Sequence, residues 1–288
     1  MFKIVRKEVL NPTITLLEIE APMVARKAQP GQFIILRIDE QGERIPLTIG
    51  GFDREKGTIT IIFQIVGLTT AALSMMNEGD CLRDFVGPLG KPTEMDGIRS
   101  VCVIGGGLGT AIAYPVAKGF HDAGIPTDLI VGFRNQELVI LEKEFAGACD
   151  NLYIMTDDGS YGEHGFTTTK EQQLLESGRR YDMIIAIGPL AMMKFCVLTA
   201  KPFDVPCRVS LNPIMIDGTG MCGCCRVTVN GEMRFACVDG PEFDGYGVDF
   251  EELLSRNSAY NKLEKEYRED HICRFDTLGK KLIPDKEA

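Results

Sequence analysis

The sequence predicts an antiparallel β-barrel followed by a parallel α/β sheet, with a small cysteine-rich module and a charged tail behind them. Three observations carry that prediction. Up to about residue 85, short runs rich in Ile, Val, Thr and Phe follow one another, separated by Pro, Gly and Asp turns. From residue 98, strand-like and helical runs alternate, the pattern of parallel strands with crossover helices. Between residues 222 and 237, four cysteines fall within sixteen positions.

The bulk properties set the frame. A chain of 288 residues, 44% hydrophobic and 25% charged, is long enough for two domains and an appendage with a real core. A net charge of −10 leaves no electrostatic footprint for nucleic acid or an anionic membrane, so neither is expected as a partner. No apolar run approaches the roughly 18 to 20 residues of a spanning helix, and "MFKIVRKEVLNPT" lacks the apolar centre of a secretory signal. A cytoplasmic protein is expected. In that compartment ten cysteines read as thiols and metal ligands rather than disulfides, and those within "SVCVIGG" and "MKFCVLT" read as core filler.

Taken in order, "TITLLEIEAP", "GQFIILRI" and "GTITIIFQIV" are strands of a barrel domain spanning residues 1–97, because short strands close on themselves to remove their edges. The linker is "DFVGPLGKPTEMDG", residues 84–97, with two prolines and three glycines. An α/β domain follows over residues 98–212. Its strands are "SVCVIGG", "TDLIVGF", "NLYIMTDD", "YDMIIAIG" and "CRVSLNP", alternating with helical runs such as "AIAYPVAKGFHDAG" and "LAMMKFCVLTA". The cysteine-rich module covers residues 213–247, and a helix-like charged tail near "FEELLSRNSAYNKLEKEYRED" covers 248–288.

The first α/β strand runs into four glycines in five positions, Gly105 to Gly109, before a helix starts. Glycines there either serve a tight strand-to-helix turn or let backbone N–H groups approach a pyrophosphate at the positive end of a helix; the place at the head of an α/β domain favours the second, a Rossmann-like nucleotide domain. The spacing differs from the usual G-x-G-x-x-G. In the barrel, "RIPLTI" sets Arg44 four residues before Thr48, on one face of a strand, where the arginine can pair with phosphate and the threonine can bond a ring edge. "QIVGLTTAAL" places Gly67, Thr69 and Thr70 ahead of a helical run, a second possible phosphate cradle.

Asp217, Cys222, Cys225 and Cys237 have the spacing D-x4-C-x2-C-x11-C, the plant-type 2Fe-2S pattern with aspartate in place of the first cysteine. Glycines in "DGTGMCGCC" let backbone wrap close to a cluster. Asn230-Gly231 is a hairpin signal that sets Cys225 opposite Ala236 and so brings the last two ligands together. The competing reading is a structural zinc site of three thiolates and a carboxylate. Zinc sites more often come as two C-x2-C pairs, and here there is one, with Cys224 a spacer.

This order of parts resembles the ferredoxin-NADP reductase superfamily. The resemblance is closest to the branch that holds the electron-transfer subunits of dihydroorotate dehydrogenase and the small subunits of NADH-dependent ferredoxin:NADP oxidoreductase, and it covers nearly the whole chain. It implies that Arg44, Pro46, Leu47 and Thr48 hold FAD, with Gly67, Thr69 and Thr70 at its pyrophosphate. It further implies that Gly106, Gly107, Gly109 and the loop "GPLAMM", with Gly188, Pro189 and Met192, hold the nicotinamide nucleotide, NAD(H). Asp157, Asp158 and Ser160 of "TDDGSYGEHG" would lie near that nucleotide. The implied function is electron transfer between NAD(H), FAD and a 2Fe-2S cluster. The implied partner is a larger flavin and iron-sulfur subunit, with ferredoxin beyond it and flavin-based bifurcation as the overall process.

Within the branch, the dihydroorotate dehydrogenase subunits carry four cysteines and the oxidoreductase subunit an aspartate at the first position, so Asp217 favours the latter. The alternatives are the dihydroorotate dehydrogenase subunit itself, a sulfide dehydrogenase or glutamate-synthase-type partner, and a redox-sensing binding module. Arg134 and Lys143 could meet the 2′-phosphate of NADPH, whereas Glu137 and Glu142 could bond the ribose of NADH. The resemblance favours NADH.

Overall fold

The computed structural model describes residues 1–259 and 262–263. Seven strands come first: β1 (Phe2–Asn11), β2 (Ile14–Glu20), β3 (Phe33–Arg37), β4 (Ile45–Asp53), β5 (Thr58–Gln64), β6 (Cys81–Leu82) and β7 (Asp84–Leu89). Two helices, α1 (Pro22–Ala25) and α2 (Leu68–Met75), interrupt them. The strand order is β6-β1-β2-β5-β4-β3-β7, antiparallel throughout. Strands β6 and β7 stand at opposite ends of that order, yet only Arg83 separates them in the chain. The sheet must therefore curl until its edges nearly meet, and it forms the expected barrel. Its interior is apolar, with Leu17 and Ile19 of β2, Ile59, Ile61 and Phe63 of β5, and Ile34 and Leu36 of β3 fully buried.

Residues 84–89, read as the start of a linker, are strand β7, paired with β3 from Arg37↔Asp84 to Phe33↔Leu89. Pro88 is tolerated because the register shifts there, from Ile35↔Val86 to Phe33↔Leu89, so it falls in an irregularity of an end strand and has no paired partner.

The second sheet is parallel: β8 (Val101–Gly106), β9 (Thr127–Phe133), β10 (Asn151–Thr156), β11 (Glu163–His164), β12 (Met183–Ile187) and β13 (Cys207–Ser210). Helices α3 (Gly109–Asp122), α4 (Glu142–Ala146), α5 (Thr167–Glu176) and α6 (Leu190–Ala200) cross between its strands. The order is β11-β10-β9-β8-β12-β13. From β8 the chain first builds outward to β9 and β10, then returns to lay β12 on the other side. The switch point of the sheet is therefore between β8 and β12, where open α/β sheets bind ligands at the carboxyl ends of their strands.

The cysteine-rich module is a hairpin of β14 (Arg226–Val229) and β15 (Glu232–Phe235), then α7 (Ala236–Asp239) and β16 (Glu242–Asp244), which adds antiparallel to β13. Asn230 and Gly231 turn the hairpin with φ of 55° and 75°, as a primed two-residue turn requires. Helix α8 (Phe250–Ser258) follows, capped by Asp249 on the Glu252 N–H and seated through Phe250 and Leu253. The rest of the expected tail helix lies outside the described residues. A single buried cluster joins Phe33 and Ile35 of the barrel, Cys102 and Ile104 of β8, and Cys225 and Cys237 of the module, so the three parts share one core. Among the described residues no helix is long and apolar enough to cross a membrane.

Candidate functional site

The barrel contributes β4 and the start of α2. Pro46, Leu47 and Thr48 lie on β4 opposite Ile35, Ile34 and Phe33, each half-buried. Arg44 stands just ahead of that strand rather than on one strand face with Thr48. Its Nε donates to the carbonyl oxygen of Ile216 at 2.9 Å and its Nη2 to that of Asp217 at 3.5 Å. Gly67 caps α2, and a side chain built there would meet no atom within 4 Å. The Thr70 hydroxyl accepts from the N–H groups of Val66 and Gly67, both at 3.0 Å, so it shapes the turn from within. The Thr69 hydroxyl donates to Glu43 Oε2 at 2.6 Å, tying the first turn of α2 to the neighbour of Arg44. Glu43 carries no motif and sequence reasoning missed it.

The switch point assembles most of the expected nucleotide residues. Gly106 ends β8, and a Cβ on it would lie 2.3 Å from the Met192 sulfur and 3.5 Å from Pro189. Gly109 opens α3 against the Ile187 carbonyl, which a Cβ would approach to 2.3 Å, and Gly188 sits against the backbone of Gly106. Gly107 differs from these. Its φ is +57° and a Cβ there would meet nothing within 4 Å, so it faces open space with its conformation reserved for glycine. The Thr110 hydroxyl closes the turn on the Gly107 carbonyl at 2.8 Å.

Asp157, Asp158 and Ser160 follow β10, two strands away from β8. Asp158 accepts from the N–H and hydroxyl of Ser160 at 2.9 and 2.6 Å, and Ser160 accepts from the Gln136 N–H at 2.8 Å. The loops after β9 and β10 are thus stitched together, and the Ser160 hydroxyl holds the Asp158 carboxyl below its usual range. Glu142 is engaged by the Tyr161 hydroxyl at 2.8 and 2.9 Å.

In the cysteine-rich module, the sulfurs of Cys225 and Cys237 lie 3.1 Å apart and are buried. Cys222 is exposed and Cys224 is half-buried. The Asp217 carboxylate accepts from the Thr219 hydroxyl at 2.6 Å and from the N–H groups of Met221 and Cys222, both at 3.1 Å. Those bonds, the Thr219 hydroxyl first, keep its pKa below the ordinary carboxylate value. Burial, then the Cys225 sulfur, pushes the Cys237 thiol up to about 12. Gly218 has φ of +82°, and a Cβ on it would lie 2.7 Å from methyls of Ile35 and Leu89, so the loop backbone rests on the barrel wall. Among the described residues no group of three or more His, Cys, Asp or Glu converges on a single-ion site. The donor set nevertheless fits an iron-sulfur cluster in its chemistry: three sulfurs and a carboxylate lie on or beside a glycine-bearing loop, with two backbone N–H groups turned toward the first ligand position.

Residues 212–249 match the iron-sulfur cluster binding domain of dihydroorotate dehydrogenase B. The chain is 46% identical over 263 residues to a dihydroorotate dehydrogenase B (NAD(+)) electron-transfer subunit homolog of Thermotoga maritima, spanning 91% of this chain and 93% of that one. The chain belongs to the dihydroorotate dehydrogenase B electron-transfer subunit family. The Geobacillus thermodenitrificans electron-transfer subunit is 33% identical over 236 residues, covering 79% of this chain and 89% of its own. A solved structure from a study of flavin-based electron bifurcation in NADH-dependent reduced ferredoxin-NADP oxidoreductase shares 41% identity with this family member. It superposes with a TM-score of 0.89 over 95% of this chain and 98% of that chain.

Proposed function

We propose that the chain is an oxidoreductase subunit that moves electrons between NAD(H), FAD and a 2Fe-2S cluster and passes them to a larger flavin and iron-sulfur partner. The observation that carries this reading is the seating of the cysteine loop on the barrel. Arg44, beside the flavin-motif strand, bonds the Ile216 and Asp217 carbonyls, and Gly218 touches Ile35 and Leu89. Bound FAD would exchange a hydride with nicotinamide and single electrons with the cluster, chemistry that no side chain supplies. The chain's own residues bind and position. Gly107 leaves room for a pyrophosphate, while Gly106, Gly109, Gly188, Pro189 and Met192 form the floor beneath it. Arg44, Pro46, Leu47, Thr48, Gly67, Thr69 and Thr70 frame the flavin site. Asp157, Asp158 and Ser160 border the nucleotide from the β10 side. Asp217, Cys222, Cys225 and Cys237 are the iron ligands.

The preferred assembly is the small subunit of a bifurcating NADH-dependent ferredoxin:NADP oxidoreductase in the cytoplasm, with ferredoxin reached through the partner. Asp217 and the 0.89 superposition support it. The second reading is the dihydroorotate dehydrogenase subunit, supported by the 46% identity to a homolog of that name. Iron, zinc and flavin analysis of the purified chain, with its visible spectrum, tests the cofactors. About two irons and one FAD per chain are expected, and zinc without iron would overturn the reading. Copurification separates the two assemblies, since only the second brings a partner that oxidises dihydroorotate.

A further inference from the structure

Two arginines from different parts of the fold reach the backbone of the loop that carries the candidate iron ligands. Arg44, from the barrel, donates to the carbonyls of Ile216 and Asp217 where the loop begins. Arg256, from α8, donates through Nη2 to the carbonyl of Cys224 at 3.3 Å where it ends. Between these points the loop is held by side chains rather than by a backbone ladder: the Asp217 carboxylate bonds Thr219, Met221 and Cys222, and Arg226 Nη1 donates to the Gly223 carbonyl at 3.4 Å. Among the described residues no backbone–backbone hydrogen bond involves residues 212–224, apart from regular elements, and none of these residues lies in a helix or strand. Thr219, Met221 and Cys222 are exposed.

Arg256 is held from two sides. Its Nη1 is ion-paired with Glu252 Oε1 at 3.7 Å one turn earlier on α8, and its side chain is 26% exposed. Its Nη1 is enclosed without a hydrogen-bond partner. The ion pair leaves the second nitrogen, Nη2, for the loop carbonyl, so the cation is held beside the loop. Adding an electron to an iron-sulfur cluster makes it more negative, so a fixed cation beside the loop favours the reduced form, and partial burial limits screening.

We infer that Arg44 and Arg256 are positioning residues that clamp the two ends of the cluster loop and raise the reduction potential of the cluster it holds. The potential rests on the cluster assignment proposed above, whereas the clamp acts on the loop with or without iron. Arg256 separates the two roles of Arg44, because Arg256 has no place in the flavin site.

The test uses the full chain with Arg256→Gln, Arg256→Lys and Arg44→Gln. Three quantities are measured: the midpoint potential of the cluster, the rate of iron release to a chelator, and amide hydrogen exchange over residues 214–224 in iron-free protein. Arg256→Gln should shift the potential to more negative values, and speed iron release and loop exchange about tenfold, as expected for losing one charged hydrogen bond. Its flavin content and melting temperature should stay at parental values. Arg256→Lys, which keeps the charge, should keep the parental potential. Arg44→Gln should speed loop exchange in flavin-stripped protein as well, which a flavin-only role would not do. Parental loop exchange in both neutral variants would overturn the clamp. A parental potential in Arg256→Gln would overturn the electrostatic part. A parent that binds no iron would instead remove the cluster assignment, and loop exchange would still decide whether the arginines hold the loop.

Discussion

The sulfur of Cys225 lies 3.1 Å from that of Cys237, twelve residues further along the chain. The hairpin between them sets this distance: Val229 pairs with Glu232 across Asn230-Gly231, and the Ala236 N–H donates to the Cys225 carbonyl at 3.0 Å. Cys225→Ala or Cys237→Ala should therefore leave the purified protein with little iron. Cys224→Ala should keep parental iron, because its backbone carbonyl, not its sulfur, is what Arg256 uses. Iron analysis of the three variants checks this, and iron loss confined to Cys224→Ala would contradict the ligand set.

Gly107 and Gly109 should respond differently to substitution although both belong to one loop. Gly107→Val places a branched side chain in open space and forces a φ of +57° on a residue that resists it. Flavin reduction by NADH should be abolished while photoreduction of the flavin persists. Gly109→Ala drives a methyl to 2.3 Å from the Ile187 carbonyl, so it should destabilise the fold by about 1–3 kcal/mol, read as a lower melting temperature. Equal NADH kinetics for Gly107→Val and parent would move the nucleotide site elsewhere.

Much of this arrangement was legible in the sequence, and the parts that were not have physical reasons. The alternation from residue 98 gave the parallel sheet, since buried strands and amphipathic helices leave different periods. The glycines of residues 105–109 and the loop "GPLAMM" stood out as nucleotide loops, but their meeting at a switch point depends on the strand order, which no local pattern encodes. Strand β7 was hidden because Gly87 and Pro88 read as a break, whereas they fall at a register shift of an end strand, where a proline is acceptable. The contacts from Arg44 to Ile216 and from Arg256 to Cys224 join residues 172 and 32 positions apart. Neither pair has a periodic or motif signal, because both depend on how separate parts pack.

Glu171 on α5 gives a pH-dependent prediction. It is buried, and neither carboxylate oxygen has a hydrogen-bond partner at normal geometry. Burial pushes its pKa from 4.5 to about 8, with the neighbouring Cys196 thiol pulling the other way. A raised carboxyl binds more protons in the folded state. Its contribution is thus fully present below the unfolded value and is lost as pH rises toward about 8. Glu171→Gln removes that loss. Between about pH 5.5 and about pH 8.5 the stability difference should move in favour of the variant by roughly 3 kcal/mol, measured by denaturant unfolding. A difference independent of pH would contradict the assignment.

Asp217→Cys restores the all-cysteine spacing and should keep a 2Fe-2S cluster with a changed midpoint potential, because carboxylate oxygen is a harder donor than thiolate. Asp217→Ala removes both the ligand and the acceptor for the Thr219 hydroxyl and the Met221 and Cys222 N–H groups. It should give a labile cluster, seen as iron lost during purification. An Asp217→Ala protein with parental iron and potential would show that Asp217 is not a ligand.

Passage of electrons from NADH through flavin to a cluster held beside the barrel can be seen in the electron paramagnetic resonance spectrum of the purified chain after anaerobic addition of NADH. The signal of a reduced 2Fe-2S cluster should appear, be lost in Gly107→Val under NADH and be recovered in that variant on photoreduction. An intact, flavin-replete protein that gives no cluster signal under either reductant would contradict it.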